Sequence, residues 1–246
     1  MDQDTTKLEG DVKAAVESDP ASIAERVRGI TLSALSEGRL DGEGLRQVMG
    51  AVLKGAQQGV AKPGEQSTAA LKEAVRGLDE ALAAAAQATQ LAIQEAAGRT
   101  GEFSREGLKT RTDELAGLES RFLDTLTEAA RNATGHVQET LRELAAHSRA
   151  SGTAVGGRVQ SATSQLARAL ADAAQDRLEA GARTVRNEAG LLAGLAAGML
   201  RGIADTLQSL GEKGDKGDKG DKDKGQRAGG TGQGDDAGSM PPGDRA

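Results

Sequence analysis

The chain has no cysteine, tryptophan or tyrosine, and its aromatic residues are Phe103 and Phe122. Without cysteine, the chain forms no disulfides and has no thiol nucleophile. Few aromatic rings and much alanine also leave little apolar area to bury, and burial stabilises by only about 25 cal/mol per Å². We therefore expect long helices rather than a compact globule, in a reducing compartment.

Long hydrophobic runs are also missing. The longest, residues 189–200, is well short of the ~20 residues that span a bilayer. The acidic, polar start of the chain lacks the basic and apolar regions of a secretory signal. The net charge of -6 is spread along the chain and forms no basic patch for nucleic acid. The sequence thus predicts a cytoplasmic protein that does not span a membrane or bind nucleic acid.

The residues that carry enzyme chemistry are scarce. His136 and His147 are the only histidines. Eleven residues separate them, which is roughly 16 Å along one helix, so they cannot share a metal there. No phosphate-binding loop, Gly-x-Ser-x-Gly or His-Glu-x-x-His motif occurs. We predict no enzyme activity, no catalytic residues, no cofactor and no metal.

What the chain has in abundance is alanine, leucine, glutamate, arginine and glutamine. These are the strongest helix formers, and no segment alternates β-branched with polar residues as a strand would. The sequence predicts an all-α fold of long, Ala-rich amphipathic helices, arranged as an elongated bundle or a coiled coil.

Helix-breaking residues and changes in composition divide the chain into three regions. Region 1–66 has breaks at Asp19-Pro20, at Asp41-Gly42-Glu43-Gly44 and at Lys62-Pro63-Gly64, which predict short helices over 20–36 and 45–61. Region 67–210 is predicted to form the long amphipathic helices. Region 211–246 is rich in Gly, Asp and Lys without large apolar residues, so we expect a disordered tail.

Region 67–210 has no proline, which permits long rods. Glycines near 98–101 and 151–157 are the expected bends. They divide the region into three predicted helices: 67–97, 104–150 and 157–210. These helices either fold back as a three-helix bundle or stay extended.

Two hydrophobic periods occur along these rods. Leu71, Val75, Leu78 and Leu82 follow heptad spacing, as in a coiled coil. The second rod follows an 11-residue period instead, which keeps a stripe nearly straight. Its members are Leu115, Leu118, Phe122, Leu126, Ala129, Ala133, Val137, Thr140 and Leu144.

Four glycines recur every fourth residue within an apolar run, at Gly190, Gly194, Gly198 and Gly202. Residues four apart share a helix face, so this glycine series predicts a smooth groove for close helix packing. The packing partner is another helix of the same chain, a second copy or a lipid surface. We expect a homo-oligomer.

The heptads from Leu71 to Leu82, the 11-residue series from Leu115 to Leu144 and the polar tail resemble phasins, the amphipathic proteins that coat bacterial polyester granules. Apolipoprotein-like and desiccation-protectant helices share such repeats. The resemblance implies a non-catalytic, self-associating protein that coats a lipid or polyester surface, on granules or at the inner membrane. The expected contact residues are Leu118, Phe122, Leu126, Leu195, Met199 and Ile203.

Two alternatives remain open. In the first, the same stripes are buried in a soluble coiled-coil scaffold, with Gly190 to Gly202 as the association seam. In the second, the chain is a stress protectant that is mostly disordered in dilute solution and becomes helical on drying.

Overall fold

The structure is a computed structural model that describes residues 2–37, 41–60, 64–98, 105–180 and 200–201. Within these residues the chain forms eight α-helices and a 3₁₀-helix but no strand, which confirms the predicted all-α fold. The helices are α1 (Asp2–Val16), α2 (Ile23–Ser36), α3 (Gly42–Gly59), α4 (Glu65–Gly98), α5 (Arg105–Ala116), α6 (Leu118–Asn132), α7 (Gly135–Ser151) and α8 (Ala154–Ala180), and the 3₁₀-helix is Pro20–Ser22. The chain divides into a unit of residues 1–209 and a second of residues 210–246, and all described residues belong to the first.

The breaks expected in the first region start helices in the structure. The Asp19 carboxylate accepts a hydrogen bond from the Ala21 N–H (3.2 Å), with Pro20 at the first helical position. Asp41 caps α3 by accepting from the Gly44 N–H (2.7 Å). Helix α1 was not among the predicted spans. Its buried residues, Leu8, Val12, Ala15 and Val16, attach it to the core.

The first predicted rod, 67–97, corresponds to α4, which is one unbroken helix of 34 residues. The prediction of a single second rod over 104–150 was wrong, because three helices occupy its described part. Helix α5 gives way to α6 at Gly117, and Ala133 is extended at the end of α6. Gly135 then starts α7 with a φ of +60°, which an L side chain rarely adopts. Freedom from proline is therefore not sufficient for a continuous helix.

The expected bend at 151–157 is confirmed, since α7 ends at Ser151 and α8 begins at Ala154. Gly152 between them has a φ of +81°. Helix α8 covers the described part of the third predicted rod, 157–210. The rest of that rod, apart from residues 200–201, lies outside the described residues, as does the tail 211–246.

Helix α4 lies at the centre of the described fold. It packs against α2 on one side and α8 on another, with smaller contacts to α3, α5 and α7. Its heptad residues Leu71, Leu78 and Leu82 are at most 1% exposed. Alanines on its other faces are buried as well: Ala74, Ala81, Ala85, Ala86, Ala88, Ala92, Ala96 and Ala97. A helix that is apolar on most sides is a central helix.

All the described helices share one hydrophobic core, which runs from Leu8 in α1 to Leu200. Alanines on several faces of α4 let neighbouring helices approach it from several directions, so many small contacts add up. Regions 1–66 and 67–210 contribute side chains to this same core.

None of the described helices has a stretch long and apolar enough to cross a bilayer.

Candidate functional site

Two polar contacts join α4 to α8. The Asp79 carboxylate accepts hydrogen bonds from the backbone N–H groups of Ala154 (2.7 Å) and Val155 (2.9 Å). Further along, the side-chain amide of Gln90 donates to that of Gln165 (2.7 Å). The second contact lies eleven residues after the first on both helices, so the helices run parallel in a fixed register. We call this pair of helices the α4–α8 seam.

Small residues separate the two polar contacts. Ala83 and Ala86 lie on the same face of α4 as Asp79 and Gln90, because the spacing 79, 83, 86 and 90 repeats at helical intervals. Ala86 is fully buried and Ala83 is half-buried. On α8, the buried residues follow the same 4-3-4 spacing, at Val155, Val159, Ala162 and Leu166. The seam is thus an Ala-rich coiled-coil interface with a polar contact near each end.

Two side chains, Thr153 and Asp79, cap the first turn of α8, and a third, Glu119, holds Thr153. The Thr153 hydroxyl accepts from the Gly156 N–H (2.8 Å), which is the usual N-cap bond. The same hydroxyl donates to the Glu119 carboxylate of α6 (2.8 Å). Together with Asp79 of α4, these groups satisfy the N–H groups that a helix start leaves unpaired. The cap therefore fastens α8 to α4 and α6 at once.

Gly156 leaves room for the Glu119 side chain in this arrangement. A Cβ atom at this position would overlap the carboxylate of Glu119. A larger residue would push Glu119 away and break its bond to Thr153. Gly157, the next residue, is free of this constraint, because a Cβ atom there would have nothing within 4 Å.

The electrostatics of the cap are dominated by Asp79. Burial raises the pKa of the Asp79 carboxyl above its ordinary value, and the nearby carboxylates of Glu119 and Glu80 raise it further. The two backbone N–H bonds from Val155 and Ala154 oppose this shift. The cap thus concentrates negative charge at the positive end of the α8 dipole.

Close backbone contacts at glycines form a second feature of the packing. A Cβ on Gly55 of α3 would lie 2.5 Å from the Glu9 carbonyl oxygen of α1, and one on Gly59 would lie 2.8 Å from the Cβ of Val16. A Cβ on Gly77 of α4 would likewise overlap the carbonyl oxygen of Ala24 in α2. Gly55 and Gly59 are four residues apart, so they form a groove along one face of α3.

Comparison with known proteins gives a family without an assigned activity. Residues 1–209 match a family model described as a family of unknown function (DUF6781). The chain belongs to this family. No curated protein matches it, and no solved structure matches it. The match covers every described residue of this DUF6781 chain, including both partners of the α4–α8 seam.

The residues expected to contact a lipid or polyester surface are placed as follows. Leu118 is 3% exposed, and Phe122 and Leu126 are fully buried in the core. In this fold they are core residues rather than surface contacts, because the stripe that carries them faces the other helices. Leu195, Met199 and Ile203 lie outside the described residues.

The glycine series Gly190, Gly194, Gly198 and Gly202 also lies outside the described residues. Close packing of the same kind occurs at Gly55 and Gly59, which were not among the predicted packing residues. Applying the same four-residue spacing rule to α3 would have found them. Asp79, Glu119 and the Gln90–Gln165 pair carry no such local signal, since their partners are 34 to 76 residues away.

The two histidines do not form a site together. His136 has its Nε2 atom buried without a hydrogen-bond partner, while His147 Nδ1 lies 3.5 Å from the Ser151 hydroxyl. In the described part of the chain, no three histidine or acidic side chains are grouped as metal ligands would be.

Proposed function

We propose that this chain is a non-catalytic structural scaffold whose amphipathic helices pack on each other, and that it associates with further copies of itself. The observation that carries the proposal is the burial of Leu118, Phe122 and Leu126, which the sequence offers as a surface-binding stripe. A stripe that fills the core of a bundle is already satisfied. It contributes to a stable helical body rather than to a surface.

The outside of the described helices supports the same proposal. Among the described residues outside 169–180 of α8, Leu91 is the only large hydrophobic side chain that is exposed, at 43%. Ion pairs within and between helices cover other parts of the surface, such as Lys54 of α3 with Glu9 of α1 (2.9 Å). A polar exterior suits a protein that works in water, and we place it in the cytoplasm without a nucleic-acid partner.

Self-association rests on the sequence of the glycine series. Four glycines in one register offer a backbone face on which a second helix can pack closely. We assign this face as the association seam of the scaffold.

Light scattering coupled to size-exclusion chromatography tests the proposal. The mass of the wild-type chain should rise with concentration, and replacing Gly194 and Gly198 with Leu should reduce the mass. The matched control is Ala193→Leu with Ala197→Leu, which places the two leucines one residue away and should leave the mass unchanged. A wild-type chain that stays monomeric at every concentration would contradict self-association.

Coating of a lipid or polyester surface is a second candidate, because the core that holds the helices together is rich in alanine. Each buried alanine contributes little burial energy, so such a bundle opens at a lower cost than a leucine-rich one. Opening would turn the Leu118, Phe122 and Leu126 stripe towards the surface.

Flotation with anionic vesicles or polyester granules distinguishes this candidate from the scaffold. A coat protein floats with the particles, and cross-linking α8 to α4 should abolish its flotation. A scaffold stays in the aqueous fraction whether or not it is cross-linked. Far-UV circular dichroism in plain buffer tests the stress-protectant alternative, which requires low helicity in dilute solution.

A further inference from the structure

A groove of about 480 Å³ lies between α3 and α6, two helices that pack against each other. This volume falls within the range of small-molecule sites, about 300–1,000 Å³. Each helix contributes four lining residues: Arg46, Gly50, Lys54 and Gln57 of α3, and Thr125, Glu128, Ala129 and Asn132 of α6. Most of them are polar or charged, so the groove suits a polar ligand rather than an apolar helix.

Gly50 leaves space in the groove that the packing of the chain itself does not use. A Cβ atom on Gly50 would meet nothing within 4 Å, whereas a Cβ on Gly55 or Gly59 of the same helix would overlap α1. Glycine destabilises the middle of a helix relative to alanine. Close packing of α1 and α3 accounts for Gly55 and Gly59 but not for Gly50. The missing side chain at Gly50 instead deepens the groove.

Two cationic side chains flank Gly50 on the α3 wall of the groove. Arg46 lies one turn before it and Lys54 one turn after it, so all three share one helix face. The Arg46 guanidinium donates to Glu43 (3.0 Å), and the Lys54 ammonium donates to Glu9 (3.0 Å). Exposed ion pairs of this kind contribute little, and each cation has more N–H groups than these bonds use. Both side chains therefore have donors for an anion above Gly50.

The α6 wall of the groove carries groups that bind hydroxyls. The Glu128 carboxylate accepts hydrogen bonds, and the Asn132 amide both donates and accepts them. Within the described part of the chain, neither side chain has a hydrogen-bond partner, and both residues are exposed. A carboxylate on this wall also disfavours a ligand that is anionic throughout. The two walls together match a ligand with an anionic group on one side and hydroxyls on the other.

We propose that this groove binds a phosphorylated sugar, with its phosphate above Gly50 between Arg46 and Lys54 and its hydroxyls against Glu128 and Asn132. Guanidinium and ammonium groups form strong, charge-assisted hydrogen bonds with phosphate. The net charge of the chain is -6, so its overall field repels anions and recognition depends on these local groups. The inference goes beyond the proposed scaffold and does not depend on self-association.

Isothermal titration calorimetry with glucose 6-phosphate tests the site. Gly50→Leu fills the groove and should abolish the binding heat of the wild-type chain. Gly10→Leu is the matched control, because a Cβ on Gly10 of α1 also meets nothing within 4 Å and Gly10 does not line the groove. It should bind as the wild type does. Far-UV circular dichroism checks that both variants keep the helicity of the wild type.

Charge variants test the two walls separately. Arg46→Gln with Lys54→Gln should weaken glucose 6-phosphate binding on the order of tenfold, because the phosphate loses its charged donors. Glu128→Ala removes a carboxylate that repels anions and binds hydroxyls. It should therefore leave inorganic phosphate binding at least as strong and reduce the preference for glucose 6-phosphate over inorganic phosphate.

Three results would overturn the inference. The first is no binding of glucose 6-phosphate to the wild-type chain at millimolar concentrations, or equal binding to Gly50→Leu. The second is equal affinity for inorganic phosphate and glucose 6-phosphate, which would show an anion contact without recognition of a sugar. The third uses phosphatidylglycerol vesicles, whose headgroup also carries phosphate and hydroxyls. Vesicle binding without glucose 6-phosphate binding would assign the groove to a lipid headgroup instead of a soluble ligand.

Discussion

Replacing Phe122 with Ala is the sharpest test of where the hydrophobic stripe lies. Phe122 is the largest of the fully buried side chains in the core. Truncating a buried Phe to Ala removes its transfer energy and leaves a cavity, at a cost of about 3–5 kcal/mol. Leu91→Ala is the control, because Leu91 is 43% exposed. Its change should be within about 0.5 kcal/mol, as for most surface substitutions.

Far-UV circular dichroism during urea denaturation is the suitable assay, since the chain has neither Trp nor Tyr for fluorescence. With an m-value of about 2 kcal/mol/M, the midpoint for Phe122→Ala should fall by about 2 M. Phe122→Leu keeps most of the volume and should lose less than about 1.5 kcal/mol, which guards against a variant that fails to fold. Equal midpoints for Phe122→Ala and Leu91→Ala would refute the buried stripe.

Three other substitutions test the packing and the cap by the same denaturation assay. Gly55→Ala should destabilise the protein by about 1–3 kcal/mol, because α1 must move to make room for the Cβ. Gly50→Ala is the control: it has open space and should stabilise the protein by about 0.5–1 kcal/mol. The reverse order would contradict the α1–α3 contact. Burial raises the pKa of the Asp79 carboxyl in the folded protein. The stability that this carboxyl contributes is therefore fully present below its pKa in the unfolded chain, about 4, and is lost as the pH rises through its pKa in the folded protein. Asp79→Asn removes this dependence, and its stability relative to wild type should increase from pH 4 to pH 7; an unchanged or decreasing difference would count against the shift. Gly156→Ala should raise the midpoint less than Gly157→Ala, which has open space, because a Cβ at position 156 displaces Glu119 from Thr153; an equal or larger rise for Gly156→Ala would argue against the cap.

The sequence predicted helix α4 well and the helices after it less well, for a physical reason. In α4, the hydrophobic pattern and high helix propensity agree over 34 residues, so local and tertiary preferences coincide. In the second rod, the 11-residue pattern continues across Gly117 and across the Ala133-Thr134-Gly135 break. Six of its nine residues are buried and the other three, Ala129, Val137 and Leu144, are partly buried, but the chain reaches each part of the stripe with a separate helix. Periodicity predicts which face is apolar and does not predict where a helix stops.

The candidate site was less predictable than the fold. Asp79 and Gln90 have the pattern of ordinary polar residues on a helix, because the groups they bind lie 75 or 76 residues further along the chain. Only the parallel packing of α4 and α8 brings these groups together. Gly55 and Gly59 differ, since their four-residue spacing is a local feature of the sequence, as in the series Gly190 to Gly202.

The α4–α8 seam also shows how a core of small residues can specify one register. Alanines at Ala83 and Ala86 pack almost equally well if α8 slides by a turn, because their side chains are alike and small. The polar groups do not tolerate such a slide: it would leave buried Gln90, and the N–H groups that Asp79 caps, without partners. Each buried unsatisfied group costs about 1–3 kcal/mol, which exceeds what an alanine contact supplies. The two polar contacts therefore select the register.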